Sequence, residues 1–193
     1  MRLFTRKSGK TVNMWKAKTA EKKDIQQNNG IQPQKAHSGA APQEEVQIRE
    51  MQLEDYGQVH ALWMTIHGFG IRSIDDSKEG VSRFIQRNPH TSVVAEHQGR
   101  IIGSILCGHD GRRGCFYHVC VHETYRKQGI GKAMAVFAMK ALQKEQINKV
   151  SLIAFKENEV GNHFWKRVGW TFRDDLNYYD FTLNDANITL FNQ

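Results

Sequence analysis

The chain has only three cysteines, Cys107, Cys115 and Cys120, among 193 residues. An odd, small number does not build a disulfide framework, and no two of them form a C-x-x-C pair. Proline is scarce too: of three residues, Pro33 and Pro42 fall before residue 44. No apolar run approaches the ~18–20 residues of a membrane span. No hydrophobic stretch of a secretory leader follows the basic start. These absences exclude a disulfide-stapled secreted scaffold and a helical membrane protein. The expected setting is reducing and cytoplasmic, with no membrane partner.

Hydrophobic residues make up 39% of the chain and charged residues 24%, enough apolar material for a real core. The formal net charge is +7. It is placed unevenly. Residues 1–43 hold nine bases against two acids, whereas residues 44–193 hold eighteen of each. The first 43 residues also lack apolar periodicity and carry Gln26-Gln-Asn-Asn-Gly30. They read as a basic, disordered N-terminal arm, followed by one charge-balanced domain over 44–193. A charge excess confined to an arm leaves the domain itself with no net charge, so no nucleic-acid partner is expected.

From Val46 the pattern becomes regular. Val46–Arg49 alternates as a short strand. A helix opens at Glu54-Asp55, with Val59, Leu62, Trp63 and Ile66 on one stripe. Asp75-Asp76-Ser77 reads as the N-cap cluster of a second helix that stops at Asn88-Pro89. Three β-like runs follow at 92–96, 101–107 and 115–121, separated by Gln98-Gly99 and by Asp110-Gly-Arg-Arg-Gly114. Gly129 opens a long helix. Residues 150–155 read as a strand, 158–168 as a helix, and 170–172 and 178–183 as two more strands. The result is a mixed α/β chain in which an antiparallel meander feeds one crossover helix.

The informative stretch is Val119-Cys-Val121-His-Glu-Thr-Tyr-Arg126-Lys127-Gln128-Gly129-Ile130-Gly131-Lys132. A strand ends, a polar loop follows, and two glycines open a helix. Such a loop presents backbone N–H groups at the positive end of a helix dipole, which suits a phosphate. It is not a P-loop, because Arg126 stands where the first Gly belongs and Ala133 where Ser or Thr belongs. It is not a dinucleotide fingerprint, because Met134 replaces the third small residue.

Arg126-x-x-Gly129-x-Gly131 after Val119-x-Val121 resembles the acetyl-CoA pyrophosphate motif of the GNAT superfamily of N-acetyltransferases. Asn158-Glu-Val-Gly161-Asn-His-Phe164-Trp165-Lys-Arg-Val-Gly169-Trp170 resembles that family's second motif. The hairpin around Asp110 and the Asp75-Asp76 helix start are similar to the YpeA-like branch of small bacterial acetyltransferases. The resemblance covers about residues 46–181. It implies a mostly antiparallel sheet of about seven strands with a splayed central strand pair, flanked by about four helices. It also implies acetyl-CoA as cosubstrate and an acetyl transfer to a primary amine, on a small molecule or a protein, by direct attack in a ternary complex. The amides of Lys127, Gln128, Gly129, Ile130, Gly131 and Lys132, with Arg126, would hold the pyrophosphate. The edge of Val119–Val121 would pair with the pantetheine arm, and Asn158 and Trp165 would complete the cofactor site.

The attacking amine must lose a proton. Candidate bases are His109, His118, His122 and Glu123, of which His118 is favoured. Strand alternation puts His118 with Phe116 and Cys120 on one face, and Tyr117 with Val119 on the other. In the family the second aromatic of the second motif is commonly a tyrosine acid, and here it is Trp165. An indole N–H donates a hydrogen bond but is no usable acid. Trp165 then stacks on the pantetheine while water protonates the thiolate, or Tyr117, Tyr178 or Tyr179 substitutes, or the protein binds acetyl-CoA as a sensor with little turnover. His67-Gly-Phe69-Gly70, between two helices, is expected to line the acceptor cleft. No metal is expected: His122-Glu123 lacks the second His of a zincin, since Arg126 occupies that place.

Overall fold

The computed structural model describes residues 45–192. The division at residue 43 falls outside them. Seven strands and four α-helices follow one another among the described residues: β1 (Gln47–Glu50), α1 (Tyr56–Met64), β2 (Gly70–Arg72), α2 (Lys78–Arg87), β3 (Val93–His97), β4 (Arg100–His109), β5 (Gly114–Val121), α3 (Ile130–Lys144), β6 (Val150–Leu152), α4 (Glu159–Arg167) and β7 (Thr189–Phe191). Five strands form one sheet in the order β1-β3-β4-β5-β6, antiparallel except for the parallel β5–β6 pair.

Two hydrophobic clusters cover the two faces of this sheet. On one face Trp63, Leu62 and Val59 of α1 and Val81 of α2 pack on Val94, Ile101, Leu106 and Cys120. On the other, Met134, Ala135, Ala138 and Leu142 of α3 pack on Val93, Ile102, Ile105 and Phe116. β3 shows the alternation that produces two faces, because Val93 and Ala95 point to α3 while Val94 points to α1. Gly103 and Gly114 let α3 approach closely: a Cβ on either would lie 2.9 Å from Met134 and 2.6 Å from Leu142 respectively.

The structure departs from the sequence reading at the C-terminus. No described strand forms at 170–172 or 178–183; the last strand is β7, which pairs with β2 in a separate two-stranded sheet. The seven strands are thus five plus two. β2 and β7 are three residues each, too short to leave an alternation in the sequence. The parallel pair is splayed as expected. β5 and β6 pair only at Gly114–Val150, Cys115–Ser151 and Phe116–Leu152, and β5 continues to Val121 paired with β4 alone.

Candidate active site

The glycine loop forms as its composition requires. Gly129 is the N-cap of α3 at φ +85°, a left-handed conformation that glycine tolerates best. Lys127, two residues earlier, is also left-handed at φ +64°. A Cβ on Gly129 would meet nothing within 4 Å, so the space in front of the loop is open. The amides of Ile130 and Gly131 precede the first α3 hydrogen bond, from the Ala133 N–H to the Gly129 carbonyl, and have no acceptor within the helix. The Ile130 side chain is buried in the core and anchors the turn. Arg126 is exposed, and its Nε donates to the Val121 carbonyl at 3.0 Å, tying the loop to the end of β5. Gln128 does likewise to the Thr124 carbonyl, and Lys132 is exposed on the first turn. Open space, unpaired helix-start amides and flanking cations fit a pyrophosphate.

Val119 and Val121 lie where β5 has parted from β6, with their side chains on the α3 face. Asn158 is the N-cap of α4; its side-chain oxygen accepts from the Gly161 N–H at 2.9 Å. Its observed role is therefore the helix cap. Trp165 lies half-buried in an aromatic group, its ring 4.6 Å from Trp170 and 6.3 Å from Phe116. Its neighbour Phe164 comes within 3.4 Å of the position of a Cβ on Gly131, so α4 leans on the glycine loop.

His118 corrects the strand alternation. Ser104 of β4 opposes Cys120, but Leu106 opposes Tyr117, so β5 carries one extra residue there. His118 adopts φ +47° within this bulge. Beyond it the faces exchange. Phe116 and Val119 share the α3 face, and Cys120 joins the α1 cluster. Tyr117 also faces the helix layer of α1 and α2, edge-on to Phe84. A one-residue bulge has no signature in a run of six β-formers, so simple alternation failed.

The bulge delivers the imidazole to a partner that the sequence reading assigned elsewhere. His118 Nε2 lies 2.6 Å from Asp76 Oδ1, with side-chain exposures of 12% and 6%. Asp76 Oδ2 accepts the Arg72 N–H at 2.7 Å. Asp76 is thus not the helix cap; Ser77 is, accepting from Gly80 N–H. The His118 ring also contacts Trp63 at 4.5 Å and Phe69 at 5.0 Å. Of the expected acceptor loop, Phe69 therefore reaches His118, whereas His67 is exposed. The loop is clamped by the C-terminus: Asn192 accepts from Gly68, donates to the Phe69 carbonyl, and its side chain donates to Trp63 and Ile66 carbonyls. No sequence signal marked Asn192.

Other candidate bases are engaged locally. His109 Nδ1 accepts from the Gly111 N–H inside the hairpin turn, and His122 Nδ1 meets Thr124 Oγ1. Burial pushes the Cys107 thiol up to about 12 and the Cys120 thiol to about 11. Burial likewise raises the Tyr117 phenol to about 12, in part with Cys115 beside it. Among the described residues no group of three metal-ligating side chains is present, and no helix is long and apolar enough to cross a membrane.

Comparison with known proteins places the chain in a family. Acetyltransferases of Yersinia pestis (strain Pestoides F) and of Sodalis glossinidius are each 28% identical over 131 residues. The match takes in 68% of this chain in both cases, and 92% and 91% of those proteins. Among solved structures, an aminoglycoside acetyltransferase from an uncultured soil metagenomic sample, in complex with sisomicin, superposes with a TM-score of 0.59 at 17% identity. That superposition covers 72% of this chain and 97% of that one. The family model described as the acetyltransferase (GNAT) family matches residues 47–170. The chain belongs to the GNAT family of acetyltransferases and is an acetyl-CoA-dependent acyltransferase.

Proposed function

We propose that the protein is an N-acetyltransferase that passes the acetyl group to a primary amine by direct attack in a ternary complex, with His118 as the base. The observation that carries this reading is the His118–Asp76 pair at 2.6 Å beside the parting of β5 and β6. A carboxylate only accepts, so Asp76 favours the imidazole tautomer with its proton on Nε2. Nδ1 then keeps the lone pair. An alkyl ammonium has a pKa near ~10.4 and must shed its proton before it can attack. Nδ1 supplies the acceptor, and the left-handed backbone of His118 is the kind of local strain that persists where a side chain must be aimed.

Acetyl-CoA supplies the activated acyl group when bound. The amides at Gly129–Gly131 hold its pyrophosphate, and the edge of β5 at Val119–Val121 that β6 leaves free orients the arm. Holding amine and thioester together supplies much of the rate. Phe69 forms the apolar wall beside His118, and His67 stands at the rim of the acceptor cleft. The aminoglycoside complex of the soil acetyltransferase supports a small polyamine as one acceptor class for such a site; protein amines are the other.

Trp165 in the place of the family's tyrosine acid favours a second reading, an acetyl-CoA sensor with little turnover. One assay separates the two: release of CoA thiol with a panel of small amines and peptides, for the wild type, His118→Ala and Trp165→Tyr. Turnover that falls ~10²–10⁴-fold in His118→Ala supports the base. Binding of acetyl-CoA with no thiol release from any amine would establish the sensor instead.

A further inference from the structure

Asp76 holds the tip of the His118 ring but not the backbone that aims it. That backbone is left-handed at φ +47°, and His118, inside the β5 bulge, has no register partner on β4. Such a conformation at a residue other than glycine persists where its surroundings over-determine it.

Ser104 of β4 reaches this backbone. Its Oγ donates to the His118 carbonyl at 3.4 Å. Ser104 is wholly buried, on the apolar face that Trp63, Val94, Leu106 and Cys120 share. A hydroxyl is costly there unless its bonds are made. They are made. The Trp63 Nε1–H donates to Oγ at 2.9 Å, and an indole N–H can only donate. Cys120 Sγ lies 3.4 Å from Oγ. Burial pushes that thiol up to about 11, so it keeps its hydrogen and can donate too. Two donors on the two lone pairs leave the single hydroxyl hydrogen for the His118 carbonyl. Trp63 acts twice, because its ring also packs on the imidazole at 4.5 Å. Two turns earlier on α1, the Tyr56 hydroxyl donates to the Asp76 carbonyl at 3.1 Å. Both members of the His118–Asp76 pair are therefore braced from α1.

We propose that Ser104 is a positioning residue for the acetyl transfer: anchored by the Trp63 indole, it holds the His118 carbonyl and so aims the imidazole. The inference rests on His118 being the base. Ser104 acts only through His118. Its contact is long for an O–H···O bond, so it biases the bulge and does not lock it. The expected effect of losing it is about tenfold, the scale of one hydrogen bond, and not the ~10²–10⁴-fold of losing the base.

The test compares Ser104→Ala, Ser104→Thr and Cys120→Ala in the full chain by two readouts. The first needs no acceptor: exchange of the His118 Nε2 proton with water, followed by NMR in protein labelled with ¹⁵N-histidine and assigned with His118→Ala. The second is kcat and KM with the fastest acceptor from a panel of small amines and peptides. Ser104→Ala is expected to speed the exchange and to lower kcat, each about tenfold, with KM for acetyl-CoA within about twofold of wild type. Ser104→Thr keeps the hydroxyl and is expected to restore both. Cys120→Ala keeps the Ser104–His118 bond and is expected to change neither by more than about twofold. Thermal stability falls in Ser104→Ala under any role, because Trp63 loses its acceptor, so it does not discriminate. Unchanged exchange in Ser104→Ala, or a folded threonine variant that restores neither readout, would overturn the proposal. Faster exchange with unchanged kcat, or with no turnover from any amine, would overturn it differently: the clamp holds the ring, but His118 is not the base.

Discussion

Asp76 has two oxygens and two tasks. One accepts the Arg72 amide and the other holds His118 Nε2. Asp76→Asn keeps the size and can keep the Arg72 bond through its oxygen, but it turns an NH₂ toward the imidazole. The favoured tautomer then places the proton on Nδ1 and removes the lone pair that the proposed mechanism uses to take the amine's proton. Turnover is expected to fall roughly 10²–10⁴-fold with KM for acetyl-CoA little changed. Initial rates at saturating acetyl-CoA, beside a denaturation curve showing a folded variant, check this. Loss of fold without that kinetic split would mean that Asp76 only supports the structure.

A second carboxylate at the same scale has a purely structural role. Burial alone would raise the Asp55 carboxyl. The Arg49 guanidinium, bonded to it through both terminal nitrogens at 2.7 and 2.8 Å, and the Gln52 amide outweigh burial and hold it below its usual range. Lowering relative to the unfolded chain means that the folded state favours the ionised form. The associated stability is present above the ordinary carboxylate range and disappears as pH falls through the lower folded value. Asp55→Asn is expected to cost about 2 kcal/mol at pH 7. The difference from wild type should close as the pH falls toward 2. Urea denaturation at both pH values measures it; a pH-independent cost would assign the loss to packing.

At the scale of elements, α1 and α2 carry a matched pair of glycines. Gly57 lies in α1, and a Cβ there meets nothing within 4 Å. Gly80 lies in the first turn of α2, and a Cβ there would sit 2.3 Å from the carbonyl oxygens of Ile74 and Asp75. Helix propensity favours alanine at both by up to ~1 kcal/mol. At Gly57 nothing opposes it, so Gly57→Ala is expected to stabilise by ~0.5–1 kcal/mol. At Gly80 the opposing atoms are backbone and cannot swing aside, so Gly80→Ala is expected to destabilise by about 1–3 kcal/mol. It should also slow turnover, because the displaced carbonyls immediately precede Asp76. Opposite signs of ΔΔG in urea denaturation are the check; equal signs would refute the contact.

What sequence made legible at this scale follows how local each cause is. The glycine loop, the α3 start and the Asn158 cap rest on neighbouring residues, and they stand where the sequence reading put them. The parting of β5 and β6 came through the motif resemblance. The failures are non-local. His118 sits in a bulge whose extra residue is defined only against β4. Asp76 looks like a cap until β5 brings an imidazole to it from 42 residues away. β2 and β7 are each three residues and are created by pairing across the chain. Residues 178–183 have a strand's pattern but join no described strand, because pattern alone does not supply the neighbour that pairing needs.

At the scale of the whole molecule, the charge and the cofactor site are separate matters. The excess of seven positive charges lies in residues 1–43, and the proposed pyrophosphate cradle consists of backbone amides within the charge-balanced residues 44–193. Binding acetyl-CoA is therefore expected to stabilise the fold through a loop that makes few bonds of its own. A ligand at 100 times its Kd adds about 2.7 kcal/mol. For a chain of this size that corresponds to a rise of roughly 5–10 °C in Tm. Gly129→Ala separates the cradle from the rest of the fold. The new methyl meets no protein atom within 4 Å, so its cost without ligand is only that of an alanine at φ +85°, about 1–2 kcal/mol. That lowers the unliganded Tm by about 2–8 °C. The methyl does occupy the open space in front of the amides, so the increment from acetyl-CoA should shrink by half or more. Thermal melts of both proteins, with and without acetyl-CoA at fixed protein concentration, read the two effects independently. A variant that loses its unliganded Tm but keeps the full increment would show that the phosphates sit elsewhere.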